Sequence, residues 1–247
     1  TRRSSDLAVS INQHTRTVTT QHGEELTYDK LILATGSYAF VPPIPGNDRE
    51  NCFVYRTIED LDAIRAASLN AKTGVVIGGG LLGLEAAKAL RDLNLETHVV
   101  EFAPRLMAVQ IDDLGGKVLR SKIENLGVKV HTQKATSSIE DGANAKHVMK
   151  FGDGAELETD IILFSAGIRP RDELARQSGL AIGERGGIMI NDYCQTSHPD
   201  IYAIGECALW NNKIFGLVAP GYDMARIAAK HVLQEECAAF AGADLST

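Results

Sequence analysis

The sequence is short of several things, and each shortage removes a class of function. Across 247 residues no uninterrupted apolar run approaches the ~18–20 residues that cross a bilayer. The opening Thr1-Arg2-Arg3-Ser4-Ser5-Asp6 has no apolar stretch behind its arginines, so it does not read as a secretory signal. It also lacks an initiator Met, and residue 1 reads as a cut in a longer chain. Basic residues are outnumbered, 25 Lys and Arg against 32 Asp and Glu, for a formal charge of −7. Nucleic acid and anionic membrane both need a basic face, so neither is expected as a partner. The four cysteines, Cys52, Cys194, Cys207 and Cys237, are far apart and form no CxxC pair. That argues against a disulfide framework or a thiol relay and for reduced thiols in a cytoplasmic protein. The histidines show no H-x-x-x-H or H-E-x-x-H spacing, so no metal site is expected. No G-x-S-x-G elbow, fixed-period repeat or low-complexity tract occurs.

What remains is ordinary globular composition, 44% hydrophobic and 23% charged. Residues 7–33 read as short strands, with Leu7, Val9 and Ile11 alternating, a turn at His22-Gly23-Glu24 and an apolar strand from Tyr28 to Leu33. Val41-Pro42-Pro43-Ile44-Pro45-Gly46 cannot continue a helix or central strand and reads as a stiff linker. Thr57 is the expected cap of a helix, with Asp60 at a position that usually prefers Glu or Gln. Leu61, Ile64 and Leu69 mark that helix's apolar face. From Gly74 strands and helices alternate: strand 75–77, helix 82–93, strand 97–101, helix 112–126, strand 128–131. Such alternation predicts a parallel sheet with right-handed crossovers. Residues 134–159 read as an antiparallel meander with turns at Asp141-Gly142 and Asp153-Gly154. Strands at 161–164, 188–190 and 201–204 and a helix over about 222–240 complete the pattern.

The strongest chemical signal is Gly78-Gly79-Gly80-Leu81-Leu82-Gly83. The pattern is short, but it follows a strand and opens a helix near Leu82, which is the context a dinucleotide fingerprint requires. Gly78 permits the tight turn, Gly80 lets backbone approach a pyrophosphate, and Gly83 lets helix and sheet pack closely. The phosphates would rest on the free N–H groups at the helix start. Glu101 ends the next strand, where a carboxylate accepts from a ribose 2′-OH and repels a 2′-phosphate, favouring NAD(H). Arg105 lies near enough to soften that preference. Glu85, placed in the first helical turn, has two readings from spacing alone: a ligand contact or simple complementarity to the helix dipole. At Ile201 to Glu206 an apolar strand ends in Gly205-Glu206 and presents a carboxylate beyond the sheet's edge, where ligands of open α/β sheets bind. Cys207 follows directly, and reads either as close to a ligand or as a small buried residue.

Taken together, Ala34-Thr35-Gly36, the Gly78–Gly83 fingerprint with Glu85, Glu101, Ala166-Gly167-Ile168-Arg169-Pro170 and Ile201 to Glu206 resemble the two-dinucleotide flavoprotein reductases of the pyridine nucleotide–disulfide oxidoreductase superfamily. The resemblance runs over essentially the whole chain. It implies an α/β fold in which a doubly wound, Rossmann-like NAD domain is inserted in an FAD-binding domain. Residues 1–56 and 171–247 would form the FAD part and 57–170 the NAD(H)-binding domain. By the same resemblance Thr35 and Gly36 lie near the flavin nucleotide, Glu206 holds the ribitol chain, Glu85 faces the nicotinamide end and Gly167 lies in the loop over the dinucleotide. The family more often has Asp at the position of Glu206. Such folds also begin with a strand, a first G-x-G-x-x-G and a helix. Nothing before Ala34 supplies these, so the FAD part reads as incomplete.

The segments 216–225 and 240–247 resemble the NADH-dependent nitrite reductase large-subunit family more closely. That likeness implies NADH and FAD as cofactors, with electrons passing to iron–sulfur and sirohaem domains that this sequence does not contain. Partners would be NADH and a downstream metal centre, or a small electron carrier if the chain is instead a rubredoxin or ferredoxin reductase. No protein acid or base is assigned, because the cofactor carries the chemistry. A reading from another class is a dinucleotide-binding module without turnover, motivated by the absent first flavin-binding unit.

Overall fold

The computed structural model describes residues 6–242. The stretch 243–247, on which part of the nitrite reductase resemblance rests, lies outside them. The described chain divides into two compact units, one of residues 6–38 with 168–242 and one of residues 39–167. The sequence reading sets its divisions at 56/57 and 170/171, so residues 39–56 fall in the second unit.

That second unit is built on a five-stranded sheet in the order Cys52–Val54, Ile161–Phe164, Thr73–Ile77, Glu96–Val100, Val128–His131. Each neighbouring pair is parallel. Strands buried on both faces need apolar residues at every position rather than alternate ones, and Val75-Val76-Ile77 and Ile161-Ile162-Leu163-Phe164 supply them. Val76, Val99, Val130 and Leu163 pack with Ile64, Ala86, Ala87 and Leu90 of the helices Ile58–Ser68 and Leu81–Asp92. Val75, Ile77, Val100 and Phe164 face the other way, against Ile139, Met149 and Phe151. These last belong to the expected meander, strands Thr136–Asp141, His147–Phe151 and Glu156–Thr159. The fold is thus α/β and Rossmann-like, with a meander rather than helices on the sheet's second face.

The expected cap forms with both arms. The Asp60 N–H donates to Thr57 Oγ1 at 3.2 Å, and the Thr57 N–H donates to Asp60 Oδ2 at 2.8 Å. An Asp therefore serves where Glu or Gln is preferred. The apolar face of that helix is narrower than expected: Ile64 is buried, but Leu61 and Leu69 are exposed, Leu69 because it is the C-cap. The prolines of 42–45 do not span open space. Val41 and Ile44 pack on the meander-side core, and the Ile139 N–H donates to Pro45 O at 2.9 Å.

In the first unit, Ala8–Asn12, Thr17–Thr20 and Glu25–Thr27 form an antiparallel sheet. Leu31–Leu33, shorter than the expected 28–33, pairs in parallel with Ile201–Ala203. Residues 170 positions apart in sequence thereby meet, Leu33 opposite Ala203. Their core includes Tyr202, Cys194, Met224 and Ala228.

The last helix runs Val218–Val232 and not 222–240. Pro220 and Gly221 look like breakers, yet they sit in the first turn, where a missing N–H costs no helical hydrogen bond. The helix stops early because Gln234 adopts a left-handed φ of 58°.

Candidate functional site

Two sites take shape, one in each unit. In the second unit, Thr73–Ile77 is the strand at which the sheet order reverses. The chain runs outward from it through Glu96–Val100 to Val128–His131, then returns to its other side as Ile161–Phe164. Ligands of open α/β sheets bind at the carboxyl end of such a switch point, and that end carries the glycine turn.

The three fingerprint glycines differ in their surroundings. Gly78 has φ +119°, and a Cβ there would lie 2.2 Å from Ser165 O. At Gly83 a Cβ would lie 1.9 Å from Gly78 O, so this helical residue touches the preceding turn backbone to backbone. Around Gly80 a Cβ would meet nothing within 4 Å. The first two positions are closed by the protein itself, and the third opens outward. Gly80 is also the N-cap of Leu81–Asp92, and no side chain caps that helix start. Its first-turn N–H groups and dipole are therefore presented to the opening. Leu82 lies exposed in that first turn.

Glu101 follows the neighbouring strand and is tied to the turn by two short bonds. Its Oε2 accepts from the Gly79 N–H and its Oε1 from the Ala103 N–H, each at 2.6 Å. Each carboxylate oxygen has a second lone pair for a further donor. The spacing of Gly79 to Glu101 gives no hint of this bond, because the fingerprint assigns Gly79 no role.

Arg105 is engaged elsewhere. Its guanidinium donates to Ile111 O at 3.0 Å, Ala108 O at 3.2 Å and Asp113 Oδ1 at 2.7 Å. The carbonyls of this irregular loop need donors, and Arg105 provides them. Glu85 is not in the first turn. The helix starts at Leu81, so Glu85 is its fifth residue, exposed and without a hydrogen bond or ion pair among the described residues. Dipole complementarity fades beyond the first turn, which weakens that reading of it.

The first unit holds a cleft of about 550 Å³ bordered by Ala34, Gly36, Gly205, Glu206, Gly216 and Tyr222, among others. It lies at the carboxyl ends of the paired strands Leu31–Leu33 and Ile201–Ala203. Gly205 takes a left-handed φ of 73° and starts the short 3₁₀ turn Gly205–Cys207 that carries Glu206. At Gly36 and Gly205 an added Cβ would meet nothing within 4 Å, so backbone lines an open cradle at both. Thr35 Oγ1 donates to Arg171 O at 2.5 Å. Cys207 is buried, its thiol donating to the carbonyls of Ile204 and Leu33, which is the second of its two readings. No sequence pattern points to Ser37. It is buried and donates to Glu206 Oε2 at 2.7 Å. Its only signal is a polar residue directly after Gly36.

Gly167 lies in the other unit, with φ +101° and open space where a Cβ would be. No group of three or more His, Cys, Asp or Glu suited to a metal occurs among the described residues. None of their helices is long and apolar enough to cross a membrane.

Proteins of similar sequence and structure are known. The profile of the pyridine nucleotide-disulphide oxidoreductase family matches residues 2–231. The chain is 60% identical over 242 residues to the large subunit of NADH nitrite reductase from Escherichia coli, covering 98% of this chain and 28% of that subunit. It is 40% identical to a nitrite reductase [NAD(P)H] of Bacillus subtilis, covering 98% of this chain and 30% of that protein. Among solved structures, a ferredoxin reductase from Rhodopseudomonas palustris superposes with a TM-score of 0.89 at 28% identity, over 97% of this chain and 60% of that one. The chain thus spans under a third of the length of these two curated relatives.

Proposed function

The chain belongs to the pyridine nucleotide-disulphide oxidoreductase family, and from that premise we propose that it is the NADH- and FAD-handling region of a nitrite reductase-type flavoprotein. The observation that carries the reading is the glycine turn: closed at Gly78 and Gly83, open at Gly80, and flanked by a carboxylate at the end of the next strand.

In this reading residues 57–170 bind NADH. Pyrophosphate approaches over Gly80 onto the uncapped helix start, with Leu82 against the dinucleotide. Glu101 accepts from the ribose hydroxyls and disfavours a 2′-phosphate, while Arg105 fastens the loop beside it. Glu85, exposed one turn further on, faces the nicotinamide end, and Gly167 borders the dinucleotide. The segments 1–56 and 171–247 hold flavin, with Thr35, Gly36 and Gly205 as backbone cradle and Glu206 as acceptor for hydroxyl groups. FAD, when bound, supplies the conversion of a two-electron hydride into single electrons. The protein's own part is to place the two nucleotides and set the charge around them. The onward acceptor is a metal centre, with nitrite as the final substrate. A small rubredoxin or ferredoxin is the second candidate acceptor, favoured by the likeness to a ferredoxin reductase.

The test is the visible absorption spectrum of the purified chain, before and after anaerobic NADH. A flavin spectrum that bleaches supports the reading. NADH binding with no flavin, even after FAD is added, supports instead a binding module without turnover.

A further inference from the structure

A glutamate at position 206 raises a question of reach. An aspartate on the same 3₁₀ turn has two side-chain torsions to fix, whereas Glu206 has three and carries its carboxylate one methylene further out. Freezing that extra torsion opposes binding unless something in the protein has already done so. Ser37 is placed to do so. It is 5% exposed and its hydroxyl donates to Glu206 Oε2 at 2.7 Å, across 169 residues of sequence.

The platform under Ser37 is itself fastened. The Arg171 N–H donates to Gly36 O at 2.9 Å, Arg171 Nε donates to Ser37 O at 3.2 Å, and Thr35 Oγ1 donates to Arg171 O at 2.5 Å. Three hydrogen bonds thus tie residues 35–37 to Arg171 and fix the backbone from which the Ser37 hydroxyl meets the carboxylate. Ser37 does not border the cleft, whereas Glu206 does. The serine therefore acts through the glutamate and not on a ligand.

We propose that Ser37 is a positioning residue for Glu206, holding the longer carboxylate ready to accept hydrogen bonds from the polyhydroxyl chain of a flavin nucleotide. The inference rests on the flavin reading above and adds to it the group that makes a glutamate workable at this position. It implies coupling. The hydroxyl matters when the carboxylate is long enough to reach it, and matters little when it is not.

The experiment is a titration of the chain with FAD, read by flavin fluorescence, for the wild type, Ser37→Ala, Ser37→Thr, Glu206→Asp and the Ser37→Ala/Glu206→Asp double variant. Melting of each without flavin fixes a temperature at which all are folded. Losing a hydrogen bond to a charged group should weaken FAD binding roughly tenfold in Ser37→Ala, while Ser37→Thr, which keeps the hydroxyl, stays near wild type. In the Glu206→Asp background Ser37→Ala should cost less than about threefold, a non-additivity expected of contacting residues. Equal losses from Ser37→Ala in both backgrounds, or an unchanged affinity in Ser37→Ala, would overturn the inference while leaving the flavin reading standing. A wild-type chain that takes up no FAD would overturn both.

Discussion

The three fingerprint glycines permit a test in which folding and ligand approach separate. Gly80 has φ −82° and ψ −172°, which any residue adopts, and a Cβ there meets no protein atom within 4 Å. Replacing a glycine by alanine at an N-cap costs about 0.5–1 kcal/mol, so Gly80→Ala should fold nearly as well as wild type. Gly83→Ala is a different case. In an open helix it would gain about 1 kcal/mol, but here its Cβ lies 1.9 Å from Gly78 O. Both atoms are backbone-anchored, so the turn must move, and overpacking of this kind costs about 1–3 kcal/mol, or more where backbone is displaced. Gly78→Ala adds a left-handed φ of 119° to a 2.2 Å approach to Ser165 O and should be at least as damaging. Urea unfolding of the three variants should therefore leave Gly80→Ala near wild type and the other two well below. NADH binding should order them differently. Gly80→Ala, and more so Gly80→Val, should lose at least about tenfold in affinity, near 1.4 kcal/mol, because the new carbon occupies the approach to the helix N–H groups. A well-folded Gly80→Val that binds NADH like wild type refutes the pyrophosphate assignment. A fully stable Gly83→Ala refutes the packing argument.

Three further outcomes follow from the same geometry. Glu101→Ala removes the acceptor of the Gly79 and Ala103 N–H groups; it should cost about 1–3 kcal/mol in urea unfolding and narrow the NADH/NADPH affinity ratio, and an unmoved ratio would remove Glu101 from the ribose. Acid should destabilise the chain in two stages: burial holds His98, His131 and His147 below their ordinary 6.5, so the unfolded chain takes up protons first as pH falls past 6.5 and stability drops there. The second stage lies below the ordinary 3.8 of Asp160, whose burial alone would raise it but whose bonds from the Lys72, Thr73 and Lys146 N–H groups and the Thr73 hydroxyl hold it lower; a urea midpoint flat from pH 7.5 to about 2 would contradict both. Burial pushes the Cys52 thiol up to about 11 and Cys194 up to about 12, so both should react far more slowly with a thiol reagent at pH 8 in the native chain than after unfolding, and rapid mass-detected labelling of native Cys194 would show that core to be open.

The parts legible in the sequence were those in which one local cause acts alone. Strands such as Ile161–Phe164 are apolar at every position because both sheet faces are covered, and no other short element demands that. Thr57 and Asp60 sit three residues apart, and the cap they make needs nothing beyond that spacing. The start of the last helix is hidden in the sequence because the rule that governs it depends on position. Pro220 breaks a helix only after the first turn, and nothing nearby in sequence says where the first turn falls. The exposure of Leu61 and Leu69 is hidden for a related reason, since spacing gives a face but not how far the neighbouring sheet extends to cover it.

Glu101 and Glu206 show where the limit lies within the sites themselves. Both are carboxylates just past the carboxyl end of a parallel strand, and that position makes both legible in the sequence. Glu101 is held by the Ala103 N–H two residues away and by a turn one strand over, within a single run of alternating elements. Glu206 is held by Ser37, which reaches it only because Leu31–Leu33 pairs with Ile201–Ala203. The whole of the second unit intervenes in sequence, and no spacing rule spans it. A site residue can thus be named from the end of the strand that presents it. The groups that fix its orientation become visible only once the pairing of distant strands is known.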